Sequence, residues 1–314
     1  MLASTLLAQR QVVIASLIAS GLTFAVMFVP LVPAASQVLG PNTASALDTS
    51  RNWSGYAATN GTFTTVAGTW TVPRLSSNTP ASADATWVGI GGVRGRDLIQ
   101  GGTMNIVTSS GAISTTAFIE MLPRALQRIS LPVNSGDSVT VSITQQTAHR
   151  WQISIVNTTN GQSFSTSVAY HSSLSSAEWI EEDPEIGGRL RVLDNFGTVE
   201  FSGATTTKNG SVTTMAQANG QAITLINNSC QALATASVLG SDGASFSVTR
   251  SITDTNPVSQ PGNEEGRWRG ESQACLTGGP APATVPPPAP SYIPIPFQNF
   301  WGGWSPFLRR WGRR

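Results

Sequence analysis

The chemistry of this chain gathers in two short stretches. The first is acidic: Glu178, Glu181, Glu182, Asp183 and Glu185 place five carboxylates in eight residues. Strand periodicity over Ala177 to Asp183 points Glu178, Ile180 and Glu182 to one face, and Trp179, Glu181 and Asp183 to the other. Two carboxylates on one face repel, so one has its pKa raised and exchanges protons in mild acid. A solvated acidic rim fits the same residues. The second stretch is Trp87-Val88-Gly89-Ile90-Gly91-Gly92, followed by Asp97-Leu98-Ile99-Gln100-Gly101-Gly102. Its glycines do not follow a dinucleotide fingerprint. They bare the backbone around Gln100, a non-titrating amide that can donate and accept hydrogen bonds.

Other chemistries are absent from the pattern. There is no Gly-x-Ser-x-Gly elbow and no His-Glu-x-x-His. Gly136-Asp137-Ser138 reads as a turn entering a strand, and Asp48-Thr49-Ser50 as linker. His149 and His171 are 22 positions apart, outside usual ligand spacing, and lack an obvious Ser or Cys partner. No metal and no cofactor is expected.

These side chains need a scaffold, and the composition says which kind. Of 314 residues 40% are hydrophobic and 11% charged, with 30 Gly, 19 Pro and a single lysine, Lys208. That excludes disorder throughout and disfavours helices. Net charge is +1, which argues against nucleic acid as a partner. Runs such as Thr69 to Val72, Ser138 to Ile143 and Trp151 to Ile155 alternate with period two. Turn signals separate them: Asn60-Gly61, Asn134 to Asp137, Thr159-Asn160-Gly161, Lys208-Asn209-Gly210 and Asp242-Gly243. The expected class is all-β, an antiparallel sandwich or barrel, with one face open as a groove for a polymer.

Arg10 precedes an uncharged stretch from Val12 to Val29, then Pro30, Pro33 and small residues. Residues 1–36 read as a secretory signal, cleaved after Ser36 or after Ala44-Ser45-Ala46, or as an uncleaved membrane anchor. Residues 37–51 are expected as linker and 52–278 as the β domain. Residues 279–314 form a Pro-rich linker and an aromatic, arginine-bearing tail, expected to be disordered or to dock on a membrane or anionic wall. Cys230 and Cys275 suggest one disulfide in an exported chain, with two free thiols as the alternative.

Several blocks resemble the glutamic peptidases, the eqolisins: Asn52-Trp53-Ser54-Gly55, Trp70-Thr71-Val72-Pro73, Trp87 to Ile90, Ile99-Gln100, Ala117 to Glu120 with Pro123, Gly136 to Val139, Thr159 to Ser163, Ala177 to Asp183, and Phe196 to Phe201. The order and spacing match from about Asn52 to Thr205. The resemblance implies a sandwich of two antiparallel sheets with a Gln/Glu dyad on a concave face, in a secreted endopeptidase of acidic surroundings. By motif the dyad falls on Gln100 and Glu182, with Trp87 and Glu120 lining the substrate site and a polypeptide as partner. Gly91 stands where fungal members carry an acid, Pro184 replaces an aromatic, and Phe118 and Met121 replace larger aromatics. These departures bear on pH optimum and side-chain preference. The other readings are a non-catalytic module gripping peptide or glycan through Trp87, and a surface-anchored structural protein using the Pro-rich stalk. Acid proteolysis of casein that resists inhibitors of aspartic peptidases separates the first reading from these.

Overall fold

The computed structural model describes residues 48–75, 81–186 and 191–251. Within them every helix or strand element is a strand. In chain order they are β1 (Asp48–Ser50), β2 (Trp53–Thr59), β3 (Phe63–Thr71), β4 (Ser82–Gly91), β5 (Leu98–Val107), β6 (Ile113–Met121) and β7 (Gln127–Arg128). Then follow β8 (Ser138–Thr147), β9 (Arg150–Asn157), β10 (Gln162–Ala169), β11 (Ser176–Glu182), β12 (Val192–Leu193) and β13 (Thr198–Lys208). The last are β14 (Ser211–Thr214), β15 (Gln221–Ile226), β16 (Ala232–Ala236) and β17 (Phe246–Arg250). The expected signal or anchor, most of the linker, Cys275 and the Pro-rich tail lie outside the described residues.

The expected all-β antiparallel sandwich is present, and hydrogen bonds running through β16 and β17 link all seventeen strands. One half of the ladder runs β7–β6–β5–β4–β11–β2–β15. Through β16 and β17 it continues into β13–β3–β8–β9–β10. Nearly all pairs are antiparallel; β1 on β15 and β12 on β4 are parallel. The halves face each other. Trp179 of β11 donates from Nε1 to Ala67 O of β3 at 2.8 Å, and Trp70 of β3 donates to Thr103 Oγ1 of β5 at 2.9 Å. A twisted sheet this long closes on itself rather than staying open, and the apolar sides bury one another. The turns sit where the sequence signals them: Asn209 and Gly210 both have positive φ, 53° and 82°, as a tight hairpin requires.

Asp48 to Ser50 falls within the expected linker but forms β1, in register with Ile223 to Leu225. Period-two alternation holds on β8 and β9, which have one buried face. By contrast β4 and β11 are buried along their whole length. A main core lies on one side of them, with Val88, Ile90, Ala177 and Trp179. A smaller cluster of Trp53, Trp87, Leu98, Met104, Phe118 and Ile180 lies on the other.

Acids are interred on the main-core side too. Asp84 accepts from Asn105 Nδ2 at 3.0 Å, Glu181 from Thr86 Oγ1 at 2.6 Å, and Asp194 from Ser82 Oγ at 3.1 Å. Burial raises all three, Asp84 to about 8, and their mutual repulsion adds to it for Asp84 and Glu181. A carboxyl whose folded pKa lies above its unfolded one contributes stability that is complete below the unfolded value and fades as pH rises through the folded one. Thermal unfolding followed by circular dichroism is therefore expected to give its highest midpoint below about pH 4 and a steady fall toward pH 8. Asp84→Asn should flatten that fall.

Candidate active site

Strands β6, β5, β4, β11 and β2 lie side by side and set the candidate residues in register. Gln100 stands opposite Glu120 on one side and Gly89 on the other. Trp87 pairs with Gly102 and Ile180, and Glu182 with Ala85 and Trp53. In-register positions share a face, and so do positions two apart. Gln100, Glu120, Trp87, Glu178, Ile180 and Glu182 thus share one face, with Trp179 and Glu181 on the reverse. The split expected for Ala177 to Asp183 holds along β11, but the acids are no solvated rim: Glu178, Glu181 and Glu182 are all buried.

The glycines of this face make room. A Cβ at Gly102 would lie 2.2 Å from Thr86 O and 2.6 Å from Trp87 Cβ, so only glycine lets the indole lie across the sheet. Gly55, at φ 140°, does the same on β2, where a Cβ would meet Trp179 O at 2.1 Å.

Three N–H groups converge on the Glu182 carboxyl. Trp87 Nε1 donates to Oε2 at 2.7 Å, while Trp53 Nε1 and Asn52 Nδ2 donate to Oε1, each at 3.1 Å. The two indoles meet edge to face, 5.0 Å between ring centroids. Ser50 at the end of β1 fixes Asn52: its hydroxyl donates to Asn52 Oδ1 at 3.1 Å and accepts from Trp53 N at 3.1 Å. Burial, then the charge of Glu120, pushes Glu182 up to about 8 against the pull of these donors. Glu120 is raised to about 7, again first by burial. It accepts from Gln100 Nε2 at 2.7 Å. Gln100 Oε1 is buried and has no hydrogen-bond partner among the described residues.

Gln100, Glu120 and Glu182 line one cavity of about 410 Å3, together with Phe118, Leu122 and Pro184. Trp87 does not line it; the indole is fully buried and acts through its N–H on Glu182. Residue types alone give no role to Asn52, Trp53 or Ser50. The signal available was Asn52-Trp53 inside a resemblance block. Cys230 sits in the turn between β15 and β16 at φ 61°. Among the described residues no group of three His, Cys, Asp or Glu is placed to hold a metal ion, and no helix is long and apolar enough to cross a membrane. Such a cavity offers two carboxyls able to exchange protons and an amide with a spare donor and a spare acceptor.

A model of the peptidase A4 family matches residues 51–248. Aspergillopepsin-2 of Aspergillus niger is 28% identical over 207 residues, spanning 58% of this chain and 73% of that protein. Among solved structures, scytalido-glutamic peptidase with a transition state analog inhibitor is 26% identical with a TM-score of 0.55, covering 64% of this chain and 98% of that one. SCP-B, an eqolisin solved with the tripeptide Ala-Ile-His, is 25% identical with a TM-score of 0.53 over the same shares.

Removing the shortest donor tests the electrostatics directly. Trp87→Phe keeps an aromatic ring and deletes the N–H, so Glu182 loses a contact that favours its charged form. Its titration, followed by carbon-detected NMR of the carboxyl, should move to higher pH.

Proposed function

The chain belongs to the peptidase A4 family and is a glutamic-type peptidase acting on polypeptides; from that premise we propose that it is an exported acid endopeptidase in which Glu182 and Gln100 act together on a water molecule. The observation that carries the dyad is the state of Gln100. Its Nε2 is held by Glu120, its Oε1 is buried and unpartnered, and it shares a cavity with Glu182.

The chemistry follows from those groups. Peptide hydrolysis needs an activated water, a place for charge on the carbonyl oxygen and a proton for the leaving amine. Ionised Glu182 takes a proton from water while Gln100 Oε1 orients that water. The oxygen attacks the peptide carbon, and negative charge moves to the carbonyl oxygen. The second N–H of Gln100 Nε2 donates to it there. Protonated Glu182 then passes its proton to the amide nitrogen and the C–N bond breaks. Glu120 holds the amide through its bond from Gln100 Nε2. Both carboxyls grip protons well above their usual range, so the pair keeps at least one through acid, while the three N–H groups favour the charged form of Glu182 that the step requires. An amide does not titrate, so the oxyanion donor survives where an imidazole would be blocked.

Export rests on the basic residue, uncharged stretch and small-residue exit of the first 36 positions. A Cys230–Cys275 disulfide is proposed on the same footing, since Cys275 lies outside the described residues. A mass measurement before and after reduction, with alkylation, checks it.

Gln100→Ala and Glu182→Ala are each expected to lower casein cleavage in acid by about 10²-fold or more, while circular dichroism stays unchanged. Glu182→Gln should be as inactive as Glu182→Ala. If Glu182→Gln instead keeps most of the activity, the base is another carboxyl, and Glu181→Gln is the next variant to assay.

A further inference from the structure

A second cavity, of about 540 Å3, shares the wall Leu122, Pro123 and Arg124 with the catalytic one. Its floor is apolar, with Leu122 and Tyr170 buried, while Arg96, Arg124, His149 and His171 stand exposed around it. Asp97 is the one carboxylate among the residues lining it, and it is engaged. Its Oδ2 accepts from Ser172 Oγ at 3.1 Å and Ser173 N at 2.6 Å, holding the loop that carries His171.

Two features set the histidines apart from ordinary surface residues. Their rings stack, 3.5 Å between centroids and 23° apart in plane. His149 also occupies the left-handed region, at φ 65°, in the tight turn between β8 and β9, where asparagine or glycine would sit with less strain. The stack lies beside the guanidiniums of Arg96 and Arg124, and an anion among them meets charge-assisted donors.

The floor is tied to the catalytic strands. Tyr170 Oη donates to Leu122 O at 2.9 Å and accepts from Leu98 N at 2.7 Å, two residues before Gln100. An extended chain advances about 3.3 Å per residue, so a peptide lying in the catalytic cavity and passing over the shared wall reaches the second cavity within a few residues.

We propose that the second cavity is an anion-binding subsite that receives the carboxylate of an acidic residue on the substrate chain, a few residues from the bond that is cut. This rests on the peptidase reading for its occupant. It makes the chain selective for acidic peptides at one remote position, a preference carried by Arg96 and Arg124 as charge-assisted donors and by the histidine pair beside them.

Matched fluorogenic peptides at pH 5, with Asp or Asn at each position two to five residues from the scissile bond, test it. The wild-type protein should favour Asp at one position by about tenfold in kcat/KM, through KM. The double variant Arg96→Gln, His171→Gln should lose that preference and cleave the Asn peptides as before. Equal cleavage of both peptides by the wild-type protein, or a preference that survives in the variant, overturns the subsite. A binding arm does not depend on turnover: NMR of the histidine side chains is followed on adding an Asp tetrapeptide, its Asn counterpart, or sulfate. Shifts with the Asp peptide and not the Asn peptide support the subsite, even if no peptide is cleaved and the peptidase reading falls. Shifts with sulfate alone mark an adventitious ion only, and no shift with any of the three overturns the proposal.

Discussion

A carboxyl buried in a β ladder costs less when N–H donors meet it, and around Glu182 they come from three separate places in the chain. Trp87 arrives on β4, Trp53 on β2, and Asn52 from the residue just before β2. For all three to meet one carboxyl, β11 must lie between β4 and β2 in a single register, Glu182 opposite Ala85 and Trp53 together. A one-residue slip would turn Glu182 to the other face and bring Glu181 round in its place. Much of the fold can be read as the means of holding that register. Glycines at 55 and 102 let neighbouring strands and indoles close up, and β1 anchors Ser50 so that Asn52 presents its amide.

The same ladder buries acids on both of its faces. Asp84, Glu181 and Asp194 lie toward the main core, with Glu178 and Glu182 on the other side and Glu120 half-buried beside Gln100. Burial lifts every one of them, and the donors they have are mostly neutral: amides, hydroxyls and indoles. Such an interior is at ease when its carboxyls are protonated and strained when they are charged. The stability of the fold therefore leans toward the acid side of the pH scale.

Much of this was legible from residue order. Turn residues marked hairpins that the structure forms, as at Asn209-Gly210, and alternation marked β8 and β9 because each has one wet face. The side of β11 that carries Glu182 followed from period two alone. Other features were not legible, for physical reasons. Asp48 to Ser50 has no apolar pattern, and its strand exists only because β15 pairs with it across a large gap in sequence. The acidic cluster looks solvated until the apolar clusters on both sides of β11 are in place. That the facing halves are joined by hydrogen bonds depends on the β15–β16–β17 connection, which no local pattern records. His149 and His171, too far apart to suggest a shared role, are stacked because a turn and a strand end happen to meet.

The account stands on Gln100 and Glu182 acting together at one tetrahedral carbon. A crystal structure of this protein with a peptide phosphonate, whose two oxygens mimic the attacking water and the oxyanion, tests that most directly. The expected result has Gln100 Nε2 within hydrogen-bond distance of one phosphonate oxygen and Glu182 within the same distance of the other. A phosphonate seated with neither oxygen on Glu182, or with Gln100 turned away from it, would contradict the dyad.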